Sequence, residues 1–137
     1  MPDVRYPDTV INGVPVVATP AEIDITNADG LRAALINAAA AGPGAFVVDM
    51  TRTRFCDSSG MYTLFDAHKS ARADGREVLL AIPAATVLRV FAITGMDLVI
   101  PIFASLDEAL AEAAATANGA AASTSKELTS QGPADAA

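Results

Sequence analysis

The chain opens with two short runs typical of β-strands. Residues 9–11 and 14–18 are rich in β-branched and other apolar side chains. Between the runs lies Asn12-Gly13, a dipeptide that tolerates the positive φ angles of a tight turn. The pattern therefore predicts a β-hairpin at the start of the fold.

A helix is predicted next, because apolar residues recur at helical spacing through residues 31–38. Thr26 or Asn27 could accept a hydrogen bond from the free amides at its start, so one of them is expected to be the N-cap. We expect this helix to end near Ala41. Gly42 would supply a left-handed cap there, and the proline that follows cannot continue the helix.

From residue 46 onward, apolar runs alternate with helical patterns. Residues 46–50 are almost wholly apolar, as a central strand with both faces covered requires. The later predicted elements are, in order, a helix from Ser58 or Ser59 to about Ala73, a strand over 78–82, a helix over 84–94 capped by Gly95, a strand over 98–102, and a helix from Ser105 to about Thr116 with Glu108 completing a capping box. The alternation predicts an α/β fold with a mixed, mostly parallel sheet of about five strands and four helices.

The character of the sequence changes near its end. Small and polar residues dominate over 118–137, where Leu128 is the only large apolar residue. So few apolar side chains cannot offset the entropy lost when a segment becomes ordered. We therefore expect one folded domain over 1–117 and a disordered, low-complexity tail over 118–137.

Composition narrows the classes of function. The net charge of −7 argues against nucleic-acid binding, because DNA phosphates would repel such a surface. One cysteine allows neither an intrachain disulfide nor a metal cluster. No apolar stretch approaches the roughly 20 residues of a membrane span, and no signal peptide is evident. We expect a cytoplasmic protein that uses no metal or cofactor and does not contact a membrane.

The candidate chemistry lies in residues 57–60, Asp-Ser-Ser-Gly, where a predicted strand is followed by a helix. The first amides of a helix lack internal partners and carry partial positive charge, so a phosphate on Ser58 would meet free donors there. The phosphate would also add about −1.5 to −2 charges beside Asp57 and repel a partner lying over this surface. Taken alone, the same residues are also what an ordinary helix cap contains.

Other reactive residues have plainer interpretations. Cys56 lies where a thiol can become reactive, but a small buried side chain is the favoured reading because Asp57 disfavours a thiolate. His68, the only histidine, is expected to be structural. A hydrolase function is disfavoured, because the nucleophile elbow of such enzymes needs GxSxG and this chain has CDSSG. The only histidine also lies on the same predicted helix as the serines. No glycine-rich nucleotide-binding loop follows any predicted strand.

Several strings of the sequence resemble the STAS family of anti-sigma factor antagonists. The most specific is DSSG at 57–60 after the strand VVDM at 47–50, and the resemblance extends over about 13–113. Supporting strings are PVVATPAEIDITNADGLRAAL at 15–35 and ITGMDLVIPIFASLDEALA at 93–111. After Gly60, this chain departs from the family's small or aliphatic residues with Met61, Tyr62 and Thr63, so the identity of its partner could differ.

The resemblance implies a switch between partners. The unphosphorylated protein would bind an anti-sigma factor of the histidine-kinase-like ATPase fold and so release a sigma factor for transcription. That anti-sigma factor would also be the kinase, with Ser58 as acceptor, Ser59 as the less favoured alternative, and a serine phosphatase to reverse the modification. The implied partner-binding residues are Asp24, Asp57, Ser58, Ser59, Gly60, Tyr62 and Arg89, with Thr86 and Val90 as further candidates by position. Asp24 could equally be an ordinary loop carboxylate.

Two alternatives remain within the same fold. STAS domains also serve as subunits of lipid-transport complexes and as appendages of anion transporters. The lack of an apolar span in the sequence disfavours the transporter role, and the retained DSSG favours a phosphorylation switch. In the other alternative the serines are unmodified and the protein is a constitutive scaffold or subunit.

Overall fold

The computed structural model describes residues 8–42 and 44–126 of the 137-residue chain. Within these ranges the strands are β1 (Asp8–Ile11), β2 (Val14–Ala18), β3 (Glu22–Ile23), β4 (Phe46–Asp49), β5 (Phe55–Cys56), β6 (Val78–Ala81) and β7 (Ile102–Phe103). The helices are α1 (Ala28–Ala40), α2 (Ser58–Ala73), α3 (Ala85–Thr94) and α4 (Leu106–Lys126), with a short 3₁₀ helix at Met96–Leu98. Five strands form one sheet in the order β1-β2-β4-β6-β7, in which β1 is antiparallel to β2 and the other neighbours are parallel. The predicted α/β class, mixed sheet and four helices are confirmed.

The predicted hairpin is formed by β1 and β2. Ile11 pairs with Val14, and the two turn residues have positive φ angles of 53° at Asn12 and 81° at Gly13. Positive φ at both central positions is what a two-residue hairpin turn of type I′ requires. Local turn chemistry therefore sets the register of the first two strands.

β4 lies in the middle of the sheet, between β2 and β6, as its apolar sequence predicts. Successive side chains of a strand point to opposite faces, and here Phe46 and Val48 belong to one buried core while Val47 belongs to another. Helices α1, α2 and α3 contribute to the first core, and α4 contributes to the second. The sheet is thus covered on both faces, which explains why this strand shows little polar alternation.

A second, two-stranded sheet was not predicted. β3 and β5 pair in parallel, with Glu22 opposite Phe55 and Ile23 opposite Cys56. Each strand has only two residues, too few for a period-2 pattern to appear in the sequence. This small sheet fixes the segment before α1 against the segment before α2.

The last predicted strand is present, but the predicted bounds 98–102 are wrong. α3 ends at Gly95 in the predicted left-handed conformation, and the chain then turns through the 3₁₀ helix. The amides of Leu98 and Val99 donate to the carbonyls of Gly95 and Met96 at 3.1 and 3.0 Å, so these donors are used locally instead of in a sheet. The last strand is β7, which begins only at Ile102.

The ends of α1 differ from the prediction in detail. Asn27 is the N-cap residue, but its side chain stabilises the preceding loop: Oδ1 accepts from the Asp24 amide and Nδ2 donates to the Glu22 carbonyl, both at 2.9 Å. At the other end the cap is Ala41 in a right-handed conformation, so the predicted left-handed cap at Gly42 is wrong.

α4 begins with part of a capping box and is longer than expected. Ser105 Oγ accepts from the Glu108 amide at 3.1 Å, whereas the Glu108 carboxylate accepts from Ala104 instead of Ser105, at 3.3 Å. The helix continues to Lys126, beyond the expected end near Thr116. The predicted tail over 118–137 overlaps this helix. Its remainder, 127–137, lies outside the described residues, so the domain limit near residue 117 stays a prediction.

Candidate functional site

The start of α2 carries the residues that the sequence analysis identified. Asp57 follows β5 as the N-cap residue in an extended conformation, and α2 begins at Ser58. The Asp57 carboxylate accepts hydrogen bonds from the backbone amides of Ser59 at 2.9 Å and Gly60 at 3.2 Å. It also accepts one from the Ser59 hydroxyl at 2.6 Å. One carboxylate thus partners two of the free amides at the start of the helix.

These hydrogen bonds keep Asp57 ionised. Its pKa is lowered chiefly by the hydrogen bond from the Ser59 hydroxyl and further by the amides of Gly60, Ser59 and Ile25, although partial desolvation opposes the shift. Ile25 belongs to the loop between β3 and α1, so the same carboxylate connects this loop to the start of α2. A fixed negative charge therefore lies beside the proposed phosphate acceptor.

The two serines at this position differ in their surroundings. Ser58 is exposed, and its hydroxyl makes no hydrogen bond to any residue within the described ranges. Ser59 is half-buried, with its hydroxyl bound to Asp57. The geometry thus leaves the Ser58 oxygen accessible to a phosphate donor and occupies the Ser59 oxygen.

The β3-β5 pairing brings Asp24 to the same end of the domain as residues 57–60. Asp24 directly follows β3, just as Asp57 directly follows the paired strand β5. Its Oδ1 accepts from the amide of Thr26 at 2.9 Å and also from the Thr26 hydroxyl. Asp24 therefore shapes the loop before α1, while its contact with a partner stays a prediction.

Gly60 is required by close packing, a role that sequence analysis missed. A Cβ atom at this position would lie 2.6 Å from Ile23 Cγ2 and 2.7 Å from Cys56 Sγ, inside any normal contact distance. Both neighbours are buried residues of the small sheet. The missing side chain lets α2 begin directly against β3 and β5, which sets the position of Ser58.

Tyr62 and Arg89 lie on different parts of the surface near Ser58. Tyr62 is 69% exposed, and it helps to line an open groove of about 400 Å³ between the first half of α2 and the last half of α3. Ser58 and Val90 also line the groove. Arg89 is exposed on α3 but does not line it. The structure thus brings Asp24, residues 57–59 and Tyr62 to one end of the domain, whereas Gly60, also predicted to bind the partner, is buried, and Arg89 is exposed outside the groove.

Several large apolar side chains are exposed in the loop before α1, in β5 and in the segment where α3 ends, and sequence analysis did not single them out. They are Ile25, Phe55, Ile93, Leu98 and Val99. The sequence pattern around these residues does not distinguish an exposed apolar side chain from a buried one. Exposed apolar clusters commonly mark interaction sites.

Cys56 and His68 have the structural roles that the sequence favoured. Cys56 is buried, and burial followed by the charge of Asp57 raises the pKa of its thiol to about 12. His68 is buried on α2, and the pKa of its imidazole is lowered first by burial and then by the charge of Arg72. Its Nδ1 atom has no hydrogen-bond partner among the described residues. The thiol and the imidazole are therefore both neutral at physiological pH.

The fold and this site define an α/β domain with an exposed serine at the start of a helix, next to the small parallel sheet. The model of the STAS domain family matches residues 6–109, more than half of the chain. The protein therefore belongs to the STAS-domain family.

Solved structures with the same fold include anti-sigma factor antagonists and a transporter-family protein. A candidate anti-sigma factor antagonist from Thermotoga maritima is similar with a TM-score of 0.70 and 21% identity, over 79% of this chain and 93% of that one. An anti-sigma factor antagonist from Mycobacterium paratuberculosis has a TM-score of 0.66 and 29% identity, over 82% and 97%. A sulfate transporter family protein from Wolinella succinogenes has a TM-score of 0.67 and 23% identity, over 80% and 92%. The two structures with less than 25% sequence identity to this chain show only that the fold is shared.

No curated protein sequence matches the chain. Among the described residues, no helix combines the length and apolar character needed to cross a membrane.

Proposed function

We propose that this protein is an anti-sigma factor antagonist whose binding is switched off by phosphorylation of Ser58. The observation that carries the proposal is the exposed Ser58 hydroxyl at the first position of α2, beside Asp57. The name and the 29% identity of the Mycobacterium paratuberculosis protein support this choice within the family. The unphosphorylated protein binds an anti-sigma factor of the histidine-kinase-like ATPase fold and releases a sigma factor for transcription, for instance in a stress response.

The physical basis of the switch is electrostatic. A phosphate on Ser58 carries about −1.5 to −2 charges at neutral pH. It would lie beside the carboxylate of Asp57, whose lowered pKa keeps it negative. A partner that covers Ser58 would have to remove the hydration of both groups, and that desolvation is costly. The amides of Ser59 and Gly60 already donate to Asp57, so the expected set of free donors is smaller than the sequence predicted, and the phosphate of the free protein would be stabilised by the positive end of the helix dipole and by water.

The proposed role is binding and not catalysis. A serine nucleophile needs a nearby base, and the only histidine of the chain lies ten residues further along the same helix. At about 1.5 Å per residue, this separation is roughly 15 Å. In the proposal the anti-sigma factor is the kinase, a serine phosphatase reverses the reaction, and all three proteins act in the cytoplasm.

The test compares three variants for binding to purified ATPase-type anti-sigma factors from the same genome. We expect Ser58→Asp to abolish binding, and Ser58→Ala and Ser59→Ala to preserve it, as measured by calorimetry. Incubation with the anti-sigma factor and ATP should add one phosphate, mapped by mass spectrometry to Ser58 and absent from Ser58→Ala. Equal affinity of Ser58→Asp and Ser58→Ala would contradict the switch.

A constitutive subunit role is the second candidate, since a sulfate transporter family protein shares the fold. In that role the protein, such as a subunit of a lipid-transport complex, binds its partner without modification. Binding to a transport protein that is equal for wild type, Ser58→Asp and Ser58→Ala, with no phosphate added, would favour this role.

A further inference from the structure

The groove between α2 and α3 begins at the proposed phosphate acceptor. Asp57 and Ser58 lie at one end of this groove, which has a volume of about 400 Å³. Further along, Met61, Phe65 and Val90 contribute apolar walls. Any partner that covers Ser58 therefore also covers an apolar depression large enough to hold a side chain.

The surroundings of the groove are apolar as well. Tyr62 stands on its wall with 69% of its surface exposed, and Ile93 and Leu98, near the end of α3, are 77% and 88% exposed. Water contact with so much aliphatic and aromatic surface is unfavourable. A partner that buries this surface would gain free energy, whereas a polar ligand would not.

The charged residues near the groove indicate which charge a partner should carry next to the side chain that enters it. Asp57, held ionised by its hydrogen bonds, lies at one end, and the exposed Asp97 is adjacent to Met96, which also lines the groove. None of the described residues that line the groove is basic; the Lys69 Nζ lies 5.0 Å from the centre of the Phe65 ring, and the exposed Arg89 precedes Val90 on α3. The whole chain carries a net charge of −7. A basic group on the partner would complement the Asp57 carboxylate on the lining of the groove.

We propose that this groove anchors the anti-sigma factor through one large apolar side chain that has a basic residue next to it. The inference rests on the proposed function and adds the chemistry of the partner's contact. Ser58 lines the groove itself, so its phosphate would place a hydrated dianion at the entrance of an apolar anchor site. Phosphorylation would then act by preventing insertion of the anchor, in addition to repelling the partner's surface.

The experiment measures affinity for the purified ATPase-type anti-sigma factor. Tyr62→Ala removes one wall of the groove, and Thr94→Arg fills the groove from an exposed position on α3. Each variant is expected to weaken binding by about tenfold or more, as truncation of an anchor contact does. Ile36→Ala is the matched control, because Ile36 is also an exposed apolar residue on a helix but lines a separate groove between α1 and α2. Its affinity should stay within about twofold of wild type.

A photo-crosslinking amino acid in place of Thr94 identifies the occupant directly. With the purified anti-sigma factor, we expect the cross-link to map to a large apolar residue that is next to a lysine or arginine. Wild-type affinity of Tyr62→Ala and Thr94→Arg, with binding still lost in Ser58→Asp, would overturn the anchor but leave the proposed function standing. Failure of Ser58→Asp to lose binding would instead overturn the proposed function. A dimer of this chain that depends on Tyr62, with no cross-link to the anti-sigma factor, would assign the groove to a second copy and overturn the inference.

Discussion

The Ser59 hydroxyl donates a hydrogen bond to the Asp57 carboxylate at 2.6 Å. This contact separates the roles of two adjacent serines, because Ser59 is engaged in the helix cap while the Ser58 hydroxyl faces solvent. The contact also contributes most to the lowered pKa of Asp57. Ser59 therefore leaves the Ser58 hydroxyl as the available phosphate acceptor, and it helps to keep the neighbouring Asp57 negatively charged.

The first prediction concerns the acid dependence of stability. A native pKa below the unfolded value of about 3.9 stabilises the fold fully above that pH, and the stabilisation is lost as pH falls through the lower native pKa. Asp57→Asn should therefore flatten the decline of the urea midpoint below about pH 4. In Ser59→Ala, the Asp57 pKa should rise towards its ordinary value, as measured by carboxyl NMR titration. An acid decline in Asp57→Asn as steep as that of wild type would contradict this account.

The second prediction concerns the packing of Gly60. Gly60→Ala places a methyl group 2.6 Å from the branched side chain of Ile23 and 2.7 Å from Cys56 Sγ. We expect a loss of about 1–3 kcal/mol in the free energy of unfolding, typical of overpacking, although alanine is the better helix former. Gly44→Ala is the control, since a Cβ there meets nothing within 4 Å, and it should be neutral or slightly stabilising. Equal stability of the two variants would show that α2 can move away from the small sheet without cost.

Much of the fold could be predicted because its signals are local. The Asn12-Gly13 turn, the apolar run of β4 and the left-handed Gly95 depend on backbone preferences of a few adjacent residues, and each prediction was confirmed. The β3-β5 pair could not be predicted, because two-residue strands are specified by long-range packing. The misplaced start of the last strand shows the same limit, since Leu98 and Val99 are compatible with a strand but Leu98 ends the 3₁₀ helix and Val99 lies in the turn that follows it.

The candidate site was predictable only in part. The position of Asp57 as a helix cap follows from residue type and was confirmed, whereas the choice of Ser58 over Ser59 came from family resemblance. Geometry adds a physical reason for that choice, because the hydroxyl of Ser59 is already bound. The α2-α3 groove joins residues about 30 positions apart, such as Tyr62 and Val90, and a pattern within either helix cannot reveal it.

The third prediction concerns the reactivity of Cys56. With a thiol pKa of about 12, roughly one thiol in ten thousand is ionised at about pH 8, four units lower, and only the thiolate reacts. Alkylation by iodoacetamide should therefore be very slow in the native protein and fast in urea, as followed by intact-mass spectrometry. A native rate close to that of a free cysteine would support a redox role for Cys56 instead of a packing role.

The fourth prediction concerns a buried pair of hydroxyl groups that connects β2 to the loop before β5. Thr53 Oγ1 donates to the Pro20 carbonyl at 2.6 Å and lies 2.6 Å from Thr19 Oγ1, and both threonines are buried. Thr53→Val keeps the shape of the side chain but leaves Thr19 and the carbonyl without this partner. The expected loss is about 1–3 kcal/mol in the free energy of unfolding, measured by urea denaturation.

A double-mutant cycle separates the hydroxyl contact from the effect of the substitution itself. Because Thr19→Val/Thr53→Val removes both hydroxyls, it should cost less than the sum of the single variants, by about 0.5 kcal/mol or more. Thr86→Val, at an exposed position on α3, is the control and should change stability by less than about 0.5 kcal/mol. Strict additivity of the two buried substitutions would mean that the hydroxyls do not stabilise each other. The loop that leads to Asp57 would then be held by its backbone hydrogen bonds, such as that from the Arg54 amide to the Ala21 carbonyl at 2.7 Å.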